Sequence, residues 1–244
     1  MKNSNIMIIS AIAIILISLT VYNFTLRASY RNGDYKNPFY GLNYNPVNSV
    51  SQIELNSSNK IACYIRQGKK SGIYLSDRAK DKVIWSVGQD GLKIDLTDEA
   101  KRADFVVYDD DLVIVLNNLV RISTKPYFRT GEKWEQGRLF GHIGISGFRE
   151  DSMDIDLGAS SSAVLDSISV GRLNASIGEQ GKGVSSLQLH AGIFDKAVFK
   201  IPGAGKLELL DPQITKSEYH LSNAATVSLN GKSLQIIKEN GGKL

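Results

Sequence analysis

The sequence predicts an all-β fold, a parallel β-helix-like solenoid, preceded by one N-terminal transmembrane helix. Three observations predict it: an uncharged apolar run near the N-terminus, a series of short apolar segments separated by turn residues, and an internal repeat of 20 residues in the second half. The chain divides accordingly into an anchor or uncleaved signal (residues 1–29), a juxtamembrane linker (30–47), a β domain (48–237) and a polar tail (238–244).

Ile6 through Leu26 carries no charged residue, is long enough to span a bilayer and is apolar on all faces. Lys2 could serve as the n-region of a signal, but Thr25-Leu-Arg27-Ala-Ser29 puts an arginine where a cleavage site is neutral, so an uncleaved anchor is expected. Lys2 precedes the segment while Arg27, Arg31 and Lys36 follow it, a local count that votes for a cytoplasmic C-terminal side. Long domains are exported regardless of such charge. From Tyr30 to Val47, Tyr, Asn, Gly and Pro occur in irregular order, which reads as a spacer.

Beyond the spacer come Ile61 to Ile65, Gly72 to Leu75, Val83 to Val87, and Leu92, Ile94 and Leu96 in strict alternation, then Phe105 to Tyr108 and Leu112 to Leu116. Asp90-Gly91 reads as a hairpin turn. Thr97 to Arg102 is the one stretch with helical character, a turn or two long. In the second half Leu187, Leu207 and Val227 are in phase, as are Leu189, Leu209 and Leu229. Phe199 and Ile201 recur as Tyr219 and Leu221, and Ile155-Asp-Leu157-Gly158 recurs as Ala175-Ser-Ile177-Gly178. Ile168 precedes Leu187 by 19, so the repeat tolerates a slip. Apolar residues two apart share a strand face, and their recurrence at a fixed interval lets stacked coils bury them as one column. An antiparallel sandwich would not require that phase.

Composition narrows function. Apolar residues make up 42% and charged residues 22%, ordinary globular values, and 22 glycines against 5 prolines suit many turns between short strands. Lys and Arg exceed Asp and Glu by 29 to 25, yet they are scattered singly or in pairs such as Lys69-Lys70 and Lys101-Arg102, without the clustering of a nucleic-acid surface. The lone Cys63 allows no intramolecular disulfide or multi-cysteine metal site, and alternation makes it a small core residue or its outward neighbour.

Gln67-Gly-Lys-Lys-Ser-Gly-Ile-Tyr-Leu-Ser76, Val83-Ile-Trp-Ser-Val87, Leu92-Lys-Ile94 and the repeats from Asp151 to Leu234 resemble the auto-transporter adhesin head domain, also called GIN or DUF2807, over residues 48–237. The resemblance implies a β-helix-like domain exported in bacteria behind a signal or anchor, with no defined active site and a suspected adhesive role. It therefore implies a periplasmic or external β domain on a single-pass anchor. No functional residue is carried over.

The chemistry-bearing residues form no motif. His142, His190 and His220 lack metal-ligand spacing, and Gly203-Ala-Gly205-Lys206 lacks the first glycine and the hydroxyl residue of a phosphate loop. Ser146 lies in Gly144-Ile-Ser-Gly-Phe148, which misses a nucleophile elbow. Asp109 to Asp111 reads as a solvated hairpin tip rather than a calcium loop, and Asp154 and Asp156 share a solvent-facing strand side. No catalytic, cofactor-binding or metal-binding residue is assigned, and no cofactor is expected. Three readings follow: a non-enzymatic domain that binds envelope polysaccharide or protein, a carbohydrate-active enzyme, or a scaffold that assembles end to end through exposed terminal rungs, unless the polar Lys238 to Lys243 caps them.

Overall fold

The structure, a computed structural model, describes residues 3–33, 36–89, 91–129, 141–179 and 183–233. They fall into two units, Met1–Gly41 and Leu42–Leu244.

The first unit is the helix α1 (Asn3–Asn32). Its span Asn5–Asn32 has a mean hydropathy of 2.3 and buries none of its surface within the chain, so it is long and apolar enough to cross a membrane. Thr20 and Thr25 donate their hydroxyls to the carbonyls of Leu16 (2.8 Å) and Val21 (2.9 Å), which satisfies them without water. The helix runs past the expected boundary at residue 29 and stops at Gly33, whose φ of 74° suits a helix-ending glycine.

The second unit is built of strands. In chain order they are β1 (Leu42–Pro46), β2 (Gln52–Asn56), β3 (Cys63–Gln67), β4 (Gly72–Ser76), β5 (Val83–Gly88), β6 (Gly91–Leu96), β7 (Leu112–Leu116), β8 (Arg121–Lys125), β9 (Gly141–Ser146), β10 (Arg149–Leu157), β11 (Ser161–Asp166), β12 (Ser169–Ile177), β13 (Ser185–His190), β14 (Ile193–Ile201), β15 (Gly205–Leu210), β16 (Gln213–Leu221) and β17 (Thr226–Asn230). A short helix, α2 (Asp98–Arg102), separates β6 from β7, and Thr97 caps it by accepting from the Ala100 amide at 3.2 Å. Among the described residues the strands form two sheets, ordered β1-β4-β7-β3-β9-β11-β13-β15-β17 and β16-β14-β12-β10-β8-β2-β6-β5.

From β9 onward each stretch of chain gives one strand to the nine-stranded sheet and the next to the eight-stranded sheet, and like strands pair in parallel. The expected phases are the observed neighbours: Leu207 between Leu187 and Val227, Leu209 between Leu189 and Leu229, Phe199 beside Tyr219, and Ile155 beside Ala175. Phe199 and Tyr219 stack with ring centroids 5.4 Å apart. The slip expected at a step of 19 is corrected. Leu187 pairs with Ala163, 24 residues back, whereas Ile168 lies at a corner. The extra four residues fall between β12 and β13, and the strands on either side keep their parallel pairing across that step.

The corners obey the same logic. Gly147, Ser167 and Asp211 take φ values of 82°, 54° and 59° at three of the four equivalent corners from β9 to β16; Ala191 at the fourth does not. At the opposite corners buried hydroxyls satisfy one another: Ser161 lies 2.8 Å from the Ser58 hydroxyl and accepts from Thr124 at 3.0 Å, and Ser185 donates to the Gly158 carbonyl at 2.8 Å.

The first half departs from this order. β2 pairs with both β6 and β8, and β3 with both β7 and β9, so the first rung made lies inside later ones. Antiparallel strands form that end: β4 and β1 line up beyond β7, and β5 beyond β6. Gly91 stands opposite Gly88 with φ 108°, as the hairpin requires, while Asp90 lies outside the described residues. Residues 42–46, expected to be linker, are a strand. In Leu-Asn-Tyr-Asn-Pro the alternation is short and inverted: Asn43 and Asn45 stand opposite the inward Leu75 and Ile73, and Tyr44 lies on the outer face opposite Tyr74. Phe105 to Tyr108, expected as a strand, contributes only the bridge between Val107 and Ile61. Cys63 is fully buried in the core between the sheets. The polar cap proposed at Lys238 to Lys243 lies outside the described residues.

Candidate functional site

The inward faces of both sheets are filled with aliphatic and aromatic side chains, so any site lies on an outer face or at a corner. In the first half the outer face of the nine-stranded sheet differs from a polar surface. Tyr44, Tyr74, Val113 and Tyr64 follow one another across β1, β4, β7 and β3 in a single row. Val113 and Val115 point outward yet are only 4% and 7% exposed, because side chains from neighbouring strands cover them. Glycines admit that cover: a Cβ on Gly72 would come within 2.2 Å of the Tyr44 ring, and one on Gly144 within 2.4 Å of Tyr64. The Tyr44 and Tyr74 rings meet at 5.0 Å and 51°, and the Tyr44 hydroxyl donates to the Ser71 carbonyl at 2.9 Å.

Cations border this patch. Lys70 Nζ stands 4.1 Å from the Tyr44 centroid, and the Arg66 guanidinium 5.4 Å from that of Tyr64. Beside them opens a recess of about 460 Å³ lined by Gln67, Gly68, Lys69 and Asn117. Its walls are fixed by Asn117: its side-chain nitrogen donates to the carbonyls of Gly68 (2.7 Å) and Lys69 (3.0 Å), and its backbone carbonyl accepts from Gln67 Nε2 at 3.0 Å. A side chain at Gly68 would run into Val115, so the loop lies close against the sheet. The position of Asn117 follows from the crossover between β7 and β8. Five Cα steps reach at most about 18 Å. They must cross two strand spacings of about 4.8 Å and a gap of about 10 Å between sheets. The path is therefore taut, with Leu119 buried, its amide donating to Glu150 Oε1 at 3.0 Å, and the Val120 amide donating to the Ser51 carbonyl at 2.7 Å.

A second aromatic and cationic cluster has a structural character. Arg78 lies 4.7 Å from the Phe105 centroid and 4.6 Å from that of Tyr108, and it pairs with Asp111. Asp111 is only 5% exposed, which corrects the expectation of a solvated tip for Asp109 to Asp111; of the three, Asp110 alone is exposed. Burial alone would push the Asp111 carboxyl up. The Arg78 guanidinium, the Ser76 hydroxyl and the Tyr108 amide outweigh it and hold it below the usual carboxylate range.

The remaining sequence candidates are dispersed. Asp154 and Asp156 both face solvent on the eight-stranded sheet, where Asp154 accepts from Asn174 Nδ2 at 2.8 Å. His142 and His190 lie on β9 and β13, and His220 lies on β16 of the other sheet, 2.8 Å from Glu218. Gly205 and Lys206 begin β15 after a corner, and Ser146 ends β9 before Gly147. No group of three or more potential metal ligands occurs among the described residues. Sequence reasoning named Lys69-Lys70 and the stretch from Gln67 to Ser76 but did not find the patch, because its tyrosines come from three strands joined only by the non-sequential pairing.

No family model and no curated protein matches this chain. Among solved structures it is similar to a "putative adhesin" from Parabacteroides distasonis, 11% identical, with a TM-score of 0.49 over 77% of this chain and 75% of that one. A "putative adhesin" from Bacteroides fragilis is 14% identical, with a TM-score of 0.45 over 78% of this chain and 96% of the other. A "putative lipid binding protein" from Parabacteroides distasonis is 12% identical, with a TM-score of 0.36 over 78% and 96%.

Proposed function

We propose that the protein is a single-pass, membrane-tethered β-helix-like solenoid of the GIN or DUF2807 kind. Its β domain lies on the periplasmic or external side and binds an envelope polymer or protein without catalysing a reaction. The observation that carries this reading is the tyrosine row with its bordering cations and recess, presented on the outer face of a nine-stranded sheet. Aromatic rings offer broad apolar contact at small conformational cost, and cations beside them add directional contacts. The apolar character of α1 supports the anchor, and the GIN resemblance of residues 48–237 supports export.

The test is retention of purified cell-envelope fractions by the full chain in detergent, with the length distribution of any bound polysaccharide measured before and after. Retention with unchanged chain lengths is expected. Shortening of the polymer, abolished by Asp154→Ala or Asp156→Ala, would establish the carbohydrate-active reading instead, and absence of retention would overturn binding. One observation favours a further role in assembly: among the described residues β16 and β17 each have one strand neighbour, and Leu221 is 43% exposed. Light scattering at high concentration decides it, since a monomer excludes polymerisation through that end.

A further inference from the structure

We propose that the recess beside Asn117 is a subsite for a carboxylated sugar residue of an acidic polysaccharide, with Arg66, Lys69 and Lys70 holding the carboxylate and the neighbouring tyrosines packing against the sugar. This rests on the binding reading above and specifies its ligand class.

A buried cationic nitrogen without an acceptor carries the inference. Several cations have carboxylate partners, among them Lys60 with Asp104, Arg78 with Asp111, Lys82 with Glu99, Lys101 with Asp95, Lys125 with Glu54 and Lys196 with Glu218. Others on the strands, such as Arg121, Arg172, Lys200 and Lys216, stand at exposed positions where water solvates them. Among the described residues Arg66, Lys69 and Lys70 have no ion-pair partner, although they converge on one short stretch of β3 and the loop after it. Arg66 goes further, because its Nε is buried and has no hydrogen-bond acceptor. A guanidinium nitrogen held away from water is costly unless something accepts from it, and its planar fork matches a carboxylate.

Position supports the same assignment. Arg66 is in register with Val115, the residue against which Gly68 packs, so its place on β3 adjoins the recess wall while its guanidinium lies over the Tyr64 ring. The volume of about 460 Å³ falls within the range of about 300–1,000 Å³ typical of small-ligand pockets. Gln67 and Asn117 add amide groups suited to hydroxyls, and Tyr64 and Tyr74 present ring surface along the row. A recess lined by amides and flanked by rings favours a sugar over the acidic side chain of a peptide. Several such residues along one polymer would bind by avidity.

The test uses the full chain in nanodiscs of zwitterionic lipid, with polygalacturonate, dextran and poly-glutamate as immobilised probes at low and raised salt. Polygalacturonate is expected to bind and to be released by salt. Its affinity should fall about tenfold or more in Lys69→Glu/Lys70→Glu and in Arg66→Gln, and less in Arg66→Lys, which keeps the charge without the fork. An unchanged melting temperature in each variant separates this loss from unfolding. Equal binding of dextran would overturn the acidic class and leave the broader binding reading in place, and equally tight poly-glutamate would assign the site to an acidic protein surface. Failure of all three probes while envelope fractions are still retained would sink the inference alone. Failure of both assays would remove the binding reading as well.

Discussion

The two halves of the β unit use the same inward-facing residues to different ends. From β9 to β17 each rung rests on the one before it, and the pairing register can be read by adding 20, or 24 once. From β1 to β8 the chain builds β2 and β3, places β6 and β7 on one side of them and β8 and β9 on the other, and lays antiparallel strands along the outer edge. Stacking in sequence gives length, whereas folding back gives an end whose outermost strands, β1 and β5, run antiparallel to their neighbours. The folded-back half is also where an uneven outer face arises, because strands from distant segments bring Tyr44, Tyr64 and Tyr74 together.

The sharpest way to break the comparison is a charge in the sequential stack. Leu207 is fully buried between Leu187 and Val227, so Leu207→Asp leaves an unpaired carboxylate in the core and should cost more than about 4 kcal/mol, abolishing the cooperative thermal transition. In the folded-back half, Gly72→Val forces its side chain into Tyr44 and the Asn45 carbonyl. A loss of about 1–3 kcal/mol is expected. Hydrogen exchange should show it confined to β1 and β4; exchange spreading through β13 to β17 would mean that the halves are not separable units.

Next in size is Asp111→Asn, which should cost about 2 kcal/mol at neutral pH by leaving Arg78 without its carboxylate. Because the folded Asp111 titrates below its unfolded value, its contribution is present above about pH 4. It is lost as pH falls through the lower folded value. Denaturation curves of the wild type and the variant should therefore converge in acid. The smallest effect is kinetic: burial pushes the Cys63 thiol up to about 12, so it should resist thiol reagents in the native chain. If the antiparallel end opens by itself, Gly72→Val should accelerate that labelling while leaving the melting of the stack little changed.

The sequential half was legible because its signal is local and repeated: inward residues two apart recur at a constant interval. Even there the period breaks within each long strand. Val170 and Leu173 both face inward although three apart, because Gly171 is skipped in the pairing and its Cβ would lie 2.7 Å from the Asp151 carbonyl. The folded-back half hid its order, since nothing in Cys63 to Gln67 says that its partners are Leu112 to Leu116 and Gly141 to Ser146. Asp111 was misjudged because its neighbour Arg78 lies 33 residues away in sequence. The site was illegible for the same reason: charge, ring and recess come from segments whose adjacency only the tertiary fold creates.

The central placement of β2 and β3 has a consequence for biogenesis. A ribosome releases these strands early, but both of their lasting neighbours in each sheet are made later, the last of them ending at Ser146. Until then the first rung has two bare edges, and a chaperone or translocation partner that shields strands from wrong pairing has its work there. Once β9 is in place, every later rung finds a finished template waiting, and growth of the domain becomes as simple as adding one layer at a time.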